Sequence, residues 1–217
     1  MLKSRKLINW LGLLGVVSFA SYILAVVMSP IAYPGYNWMS QAVSDLSAAD
    51  APSKELWNQL TSPYGVCGIV CVTLACIFVE KRLSKTLRLG VYLFALMNWV
   101  SYLGYSLFPL TTSGYAGTFQ DIMHAVVTGA VVLLSIVSLI LIMVGGYRDI
   151  KYRSIAVFAT ISLVLMFVGS IGIGLVPQEY FGVLERFSVF SVTGFNAVLG
   201  CYIFAGIDWM EQKQGEK

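Results

Sequence analysis

Charge is what this sequence has least of. Only 12% of its 217 residues are Asp, Glu, Lys or Arg, against 58% hydrophobic residues, and the mean hydropathy is +0.78. That balance excludes a water-soluble domain of ordinary composition. Histidine occurs once, so a bis-histidine haem site has too few ligands. The four cysteines, Cys67, Cys71, Cys76 and Cys201, lie in apolar stretches without a Cys-x-x-Cys pair, which argues for small packing residues rather than disulfides or a zinc–thiolate centre. There is no phosphate-binding glycine loop, no Gly-x-Ser-x-Gly elbow and no His-Glu-x-x-His helix. No cofactor and no metal is expected from these residues.

What is present instead is a set of long apolar runs. A hydrocarbon core of roughly 30 Å needs about 20 residues of helix. Six stretches meet that need, at about 7–29, 63–79, 87–108, 121–145, 155–176 and 184–207. The expected fold class is therefore all-α: one transmembrane domain over residues 1–217, a polytopic six-helix bundle. The first run follows Lys3, Arg5 and Lys6 but is longer than a signal-peptide core and lacks an Ala-x-Ala cleavage site, so it reads as a retained span.

The basic residues alternate between the two sides of these spans. Three lie in the N-terminal arm, four between Lys81 and Arg88, three between Arg148 and Arg153 and two in the tail, whereas the opposite side has only Lys54 and Arg186. By the positive-inside rule both termini are expected in the cytoplasm. The net charge of +3 thus reports orientation, and no nucleic-acid partner is expected.

The outer connections are longer and rich in Tyr, Gly and Pro. In the first, about 30–62, Trp38, Met39, Ala42, Val43 and Leu46 make an apolar stripe opposite Gln41, Ser44 and Asp45, the pattern of a short interfacial helix. Ser62-Pro63 supplies an N-cap and first-turn proline, placing the start of the second span there. Each outer connection opens with a proline (Pro30, Pro109, Pro177) and carries Tyr-x-Gly ahead of an acid, Asp45, Asp121 or Glu185. Interfacial turns use the same residues, yet three acids collect on one side.

Asp121 and His124 share a face at the start of the fourth span, where an acid can orient the imidazole or raise its basicity. Thr118-x-x-Asp121 is equally a capping-box pattern. Glu185 and Arg186 open the sixth span and point about 100° apart, so each must address a different neighbour. Arg186 opposes the local helix dipole, and a fixed negative partner, Asp45, Asp121 or a lipid phosphate, is expected for it. Asn98 and Asn196 read as interhelical amide bonds, and Gly169, Ser170, Gly172 and Gly174 as close helix packing or a homo-oligomer face.

Tyr33-Pro34-Gly35-Tyr36 with Ser40-Gln41-Ala42-Val43-Ser44-Asp45-Leu46, then Phe108-Pro109 ahead of Asp121-x-x-His124, then Pro177 ahead of Gly182-x-x-Glu185-Arg186, resembles the bacterial membrane proteins of domain of unknown function family 998. The resemblance spans nearly the whole chain. It implies a six-helix bundle in the bacterial inner membrane, carries Asp45, His124, Glu185 and Arg186 as family features, and implies no substrate. At the first acid Glu is also common in the family, so an acid rather than one geometry is implied there.

The function expected from these residues is an outward-facing polar pocket of Gln41, Ser44, Asp45, Asp121, His124, Glu185 and Arg186 that binds a membrane lipid headgroup or a small amphipathic ligand. One alternative is an intramembrane hydrolase or group transferase with His124, Asp121 and Glu185 as catalytic candidates. Another is a proton-coupled carrier, although no inverted repeat is evident. The charge asymmetry predicts that cysteines placed at positions 45 and 115 react with impermeant thiol reagents from outside the cell; labelling only after the membrane is opened would overturn the orientation.

Overall fold

The computed structural model describes residues 5–80 and 82–206. Lys3, Lys81, Lys213 and Lys217 of the charge pattern, and the last residue of the expected sixth span, lie outside the described residues. Among the described residues the chain is helical throughout, without strands: α1 (Leu7–Leu11), α2 (Leu14–Met28), α3 (Lys54–Val79), α4 (Lys85–Leu107), α5 (Phe119–Tyr147), α6 (Arg153–Gly172) and α7 (Phe181–Ala205).

Five segments are long and apolar enough to cross a membrane: Leu7–Ala32, Lys54–Val79, Phe119–Tyr147, Ile150–Gly172 and Gln178–Ala205. The run expected at about 87–108 forms α4, whose 23 residues are long enough. Asn98 and the rings of Tyr92, Trp99, Tyr102 and Tyr105 dilute its apolarity. The outer surfaces are what lipid demands: Leu89, Leu96 and Leu103 on α4, Ile122, Val126 and Leu133 on α5, and Ile161, Val164 and Ile171 on α6 are all exposed. This is a multi-pass membrane protein.

α1 continues into α2 as one span, and from α2 onward consecutive helices run antiparallel and close a ring, with α2 packed on both α3 and α7. The register is legible in small residues. A side chain on Gly90 or Gly145 of the α4/α5 seam would strike Ile142 or Leu87, and one on Gly15 would strike Cys71 and the Asn196 carbonyl. Gly169 lies against the backbone and hydroxyl of Ser188, and Gly172 against Leu184, so the fifth-span glycines pack α6 against α7. Phe94 and Phe195 meet edge to face at 5.1 Å in the bundle centre. The two asparagines part ways: Asn196 donates across to the Gly68 carbonyl at 3.4 Å, whereas Asn98 bonds Phe94 within its own helix at 2.9 Å.

The second span does not begin at Ser62-Pro63. α3 starts at Lys54 and Pro63 sits inside it. Proline cannot donate to the carbonyl four residues back, and such a break is tolerated where neighbouring hydroxyls serve nearby backbone. Ser21 and Ser18 of α2 do so, donating to the Leu60 carbonyl at 2.5 Å and the Tyr64 carbonyl at 2.8 Å.

The resulting bundle has two unlike ends. Arg5, Arg82, Lys85, Arg88, Arg148, Lys151 and Arg153 gather where α3–α4 and α5–α6 connect, with Arg5 over the Phe204 ring at 3.9 Å. The three longer connections, with Asp45, Asp121 and Glu185, gather at the other. Gly169→Ala should lower the thermal midpoint by an amount equivalent to about 1–3 kcal/mol of overpacking, while Gly129→Ala, whose new methyl meets nothing within 4 Å, should leave it unchanged or slightly raised. Equal midpoints in a detergent melt would refute the close α6/α7 contact.

Candidate functional site

The first loop at the acidic end is folded by side chains that consume its backbone groups. Asp45, 5% exposed, accepts from the Ala42 and Gly114 N–H groups at 3.1 Å each, joining the first connection to the second. Asp50 accepts from Ser113 N–H at 3.2 Å, and Ala49 N–H donates to the Leu110 carbonyl at 2.9 Å. Burial pushes the Asp45 carboxyl above its ordinary range, against the pull of the Gly114 and Ala42 donors.

From the other side, Arg186 of α7 reaches into the loop. Its Nη1 donates to the carbonyls of Trp38 (2.7 Å), Gln41 (3.2 Å) and Gly182 (2.7 Å), and its Nη2 to the Tyr36 hydroxyl (2.7 Å). Glu185 accepts from Val43 N–H at 2.7 Å. These contacts explain why the expected interfacial helix is not formed. Residues 38–41 are turns and only Ser44–Ser47 makes a single 3₁₀ turn, because the carbonyls and N–H groups a helix would pair internally are bound to Arg186, Glu185 and Asp45. They also correct the expectation of Asp45 or Asp121 as the partner of Arg186. No carboxylate lies within 4.0 Å of it among the described residues, and oxygen dipoles take that place.

Asp121 acts as a staple. Its Oδ1 accepts from the Thr111 N–H (2.9 Å) and hydroxyl (2.7 Å), and its Oδ2 from the Ala116 (3.1 Å) and Thr118 (3.3 Å) N–H groups. Thr118 returns the capping-box bond to Asp121 N–H. With four donors bound, the carboxylate makes no hydrogen bond to His124. The histidine instead faces the Phe108 carbonyl through Nδ1 at 2.9 Å. A carbonyl only accepts, so Nδ1 carries a proton and donates, leaving Nε2 as the ring nitrogen without a protein partner.

His124 is 6% exposed and packed by Tyr105, centroids 4.8 Å apart, and Tyr115, 6.0 Å. Tyr115 has φ +63°, the left-handed region that non-glycine residues seldom adopt, and is held there beside Gly114 and Gly117. Glu185 is half-buried at the start of α7. The Tyr22 and Tyr64 rings lie tilted to one another with centroids 4.6 Å apart. Burial, with the neighbouring tyrosine and acids, pushes the Tyr115 hydroxyl up to about 12, and burial, against Arg186, does the same for Tyr36. Both stay protonated donors at any physiological pH.

Of the residues singled out by sequence, Asp45, Glu185, Arg186 and the Gln41 backbone meet in one bonded network. His124 joins it only through Tyr105 and Tyr115. Asp121 holds the second loop, and the Ser44 hydroxyl has no protein partner among the described residues. Tyr22, Tyr64, Tyr105 and Tyr115 were missed, since tyrosine near a span end reads as an interfacial anchor. The available signal was that Tyr22 sits two turns inside its span. Among the described residues no group of three or more His, Cys, Asp or Glu could hold a metal ion.

A family model described as Protein of unknown function (DUF998) matches residues 16–202. No curated protein and no solved structure matches the chain.

Arg186→Lys should fail to hold the first loop, because one ammonium cannot span three carbonyls and a hydroxyl, and each orphaned buried group costs about 1–3 kcal/mol. Limited proteolysis reads this directly: faster cleavage between residues 33 and 53 is expected, and a native cleavage rate would show that charge alone suffices.

Proposed function

The chain belongs to the DUF998 family of proteins of unknown function, and we propose that it crosses a bacterial inner membrane six times and binds a lipid headgroup or small amphipathic ligand at its outward-facing acidic end. On this reading α4 also crosses, as the third span in chain order, and the basic end lies in the cytoplasm, as the positive-inside rule requires. Arg5, Trp10 and Phe204 then form an aromatic and cationic anchor at the inner interface.

The observation that carries the binding reading is a contrast within one cluster. Asp45, Asp121 and Arg186 have their oxygens and terminal nitrogens engaged by protein, which makes them scaffold. Glu185 Oε1, His124 Nε2 and the hydroxyls of Tyr22, Tyr64 and Tyr115 have no protein partner among the described residues. None of these atoms is fully enclosed without a partner, as Ser29 Oγ, Ser188 Oγ and Asn196 Oδ1 are, so each remains open to a ligand from outside. An apolar groove of Leu165, Val183, Phe187 and Phe190 runs beside Arg186 and Trp38 on the lipid side, a surface suited to a hydrocarbon chain.

Acid–base catalysis by an Asp121–His124 pair finds less support, because the carboxylate and the imidazole are each bonded elsewhere. Native mass spectrometry of gently extracted protein tests the binding reading. About one retained amphiphile per chain is expected, lost in a Glu185→Gln/His124→Gln double variant. A wild-type chain that carries none, or a double variant that retains it undiminished, would overturn the proposal.

A further inference from the structure

We propose that Arg82, Lys85, Arg148 and Arg153 form a docking surface for the headgroup of an anionic phospholipid, in the leaflet that meets the basic end of the bundle. This site is separate from the one proposed at the acidic end and does not depend on it.

The fold brings these residues together from two connections. Gly145, near the end of α5, lies so close to the start of α4 that a side chain on it would strike the Leu87 backbone. Across the same seam Arg148 Nη1 donates to the Thr86 hydroxyl at 3.4 Å, which sets Arg148 at the first turn of α4, where Lys85 begins the helix. The Tyr152 hydroxyl donates to the Arg82 carbonyl at 3.3 Å and so joins the α3–α4 connection to the residue before Arg153. Beneath both connections Phe78, Leu83, Leu87, Tyr152 and Ile155 line one small apolar cavity.

Charge on this surface is unbalanced. Among the described residues it holds six cations, Arg82, Lys85, Arg88, Arg148, Lys151 and Arg153, and two carboxylates, Glu80 and Asp149. Glu80 is taken by Arg88 at 3.3 Å and by the Tyr92 hydroxyl. Asp149 accepts from the Lys151 N–H at 3.0 Å, and the Lys151 ammonium lies over the Tyr152 ring at 5.7 Å. Arg82, Lys85, Arg148 and Arg153 are exposed, and none has a carboxylate within 4.0 Å among the described residues.

Cations that only set orientation need no particular arrangement, yet two of these are held in place. Arg82 stands over the Phe78 ring at 4.6 Å, and Arg148 is bonded to Thr86. The surface also borders lipid, because Leu89, Tyr147 and Ile150, next to Arg88 and Arg148 in the chain, are exposed. Basic clusters at span ends recognise anionic headgroups, and guanidinium groups bind phosphate oxygens through paired N–H donors. An acidic protein would meet the same charges but would leave the apolar border unused. A phospholipid uses both, with its phosphate on the cations and its chains on the border.

An exposed headgroup contact exchanges with the bilayer, so it is read with lipid added back. Full-length protein in a neutral detergent is mixed with equal amounts of phosphatidylglycerol and phosphatidylcholine of identical chains, and the adducts are counted by native mass spectrometry. Phosphatidylglycerol adducts should exceed phosphatidylcholine adducts by about fivefold or more. The excess should shrink as ammonium acetate rises from about 0.1 to about 1 M, which shortens the Debye length from about 10 to about 3 Å. Lys85→Gln/Arg148→Gln should bring the ratio close to one. Arg5→Gln/Lys6→Gln removes as much charge from the same end, where Arg5 stands over Phe204, and should leave the ratio near native. Glu185→Gln/His124→Gln should leave it native too, which keeps this test apart from the one at the acidic end. The comparison on native protein stands even where a variant fails to fold. Equal binding of the two lipids overturns the proposal, as does a preference kept by the Lys85/Arg148 variant or lost as fully in the Arg5/Lys6 variant. Saturable binding of polyglutamate without a lipid preference would overturn it in favour of an acidic protein.

Discussion

A guanidinium that holds three backbone carbonyls and a tyrosine hydroxyl, with no carboxylate in contact, ties the first loop of this protein to α7. Everything at the acidic end follows from that grip. Once the Trp38 and Gln41 carbonyls are bound to Arg186, a helix cannot continue through them, and the next N–H groups, of Ala42 and Val43, turn to Asp45 and Glu185. Asp45 in turn collects Gly114, which sets the second loop over His124 and Tyr115. A charge near a membrane interface is usually discussed through its ion pair. Here carbonyl dipoles do the same work at a lower desolvation cost, since they do not have to be stripped of a full hydration shell.

The same economy divides the polar residues into two populations. Asp45, Asp121 and Arg186 are saturated by protein, and their function is to shape loops that would otherwise have no fixed form. Glu185, His124 and a set of tyrosines are left with free atoms inside the enclosure so formed. On the proposed reading the saturated groups pre-organise the site, because the ordering cost is met by the fold rather than by the ligand.

Much was legible in the sequence, for simple reasons. Apolar runs of spanning length follow from the hydrocarbon thickness, so the helical class and the approximate place of every helix could be read from one dimension. Asp121's capping role was also readable, since a capping box is local. The start of α3 was not: Ser62-Pro63 has the form of a helix beginning, and the Ser18 and Ser21 hydroxyls that bond the backbone on either side of Pro63 come from a neighbouring helix.

The sequence by itself determined the solvent, the helices and which end holds the acids, because hydrophobicity, spacing and charge are properties of residues in order. Only the tertiary structure decided what each polar residue is for. Whether Arg186 meets a carboxylate or carbonyls, whether Asp121 faces His124 or its own loop, and whether Tyr22 and Tyr64 are anchors or lining all depend on atoms brought together from distant segments. Those choices are made by hydrogen bonds that reach across the chain, such as Arg186 to Trp38 and Asp45 to Gly114, and no local pattern encodes them.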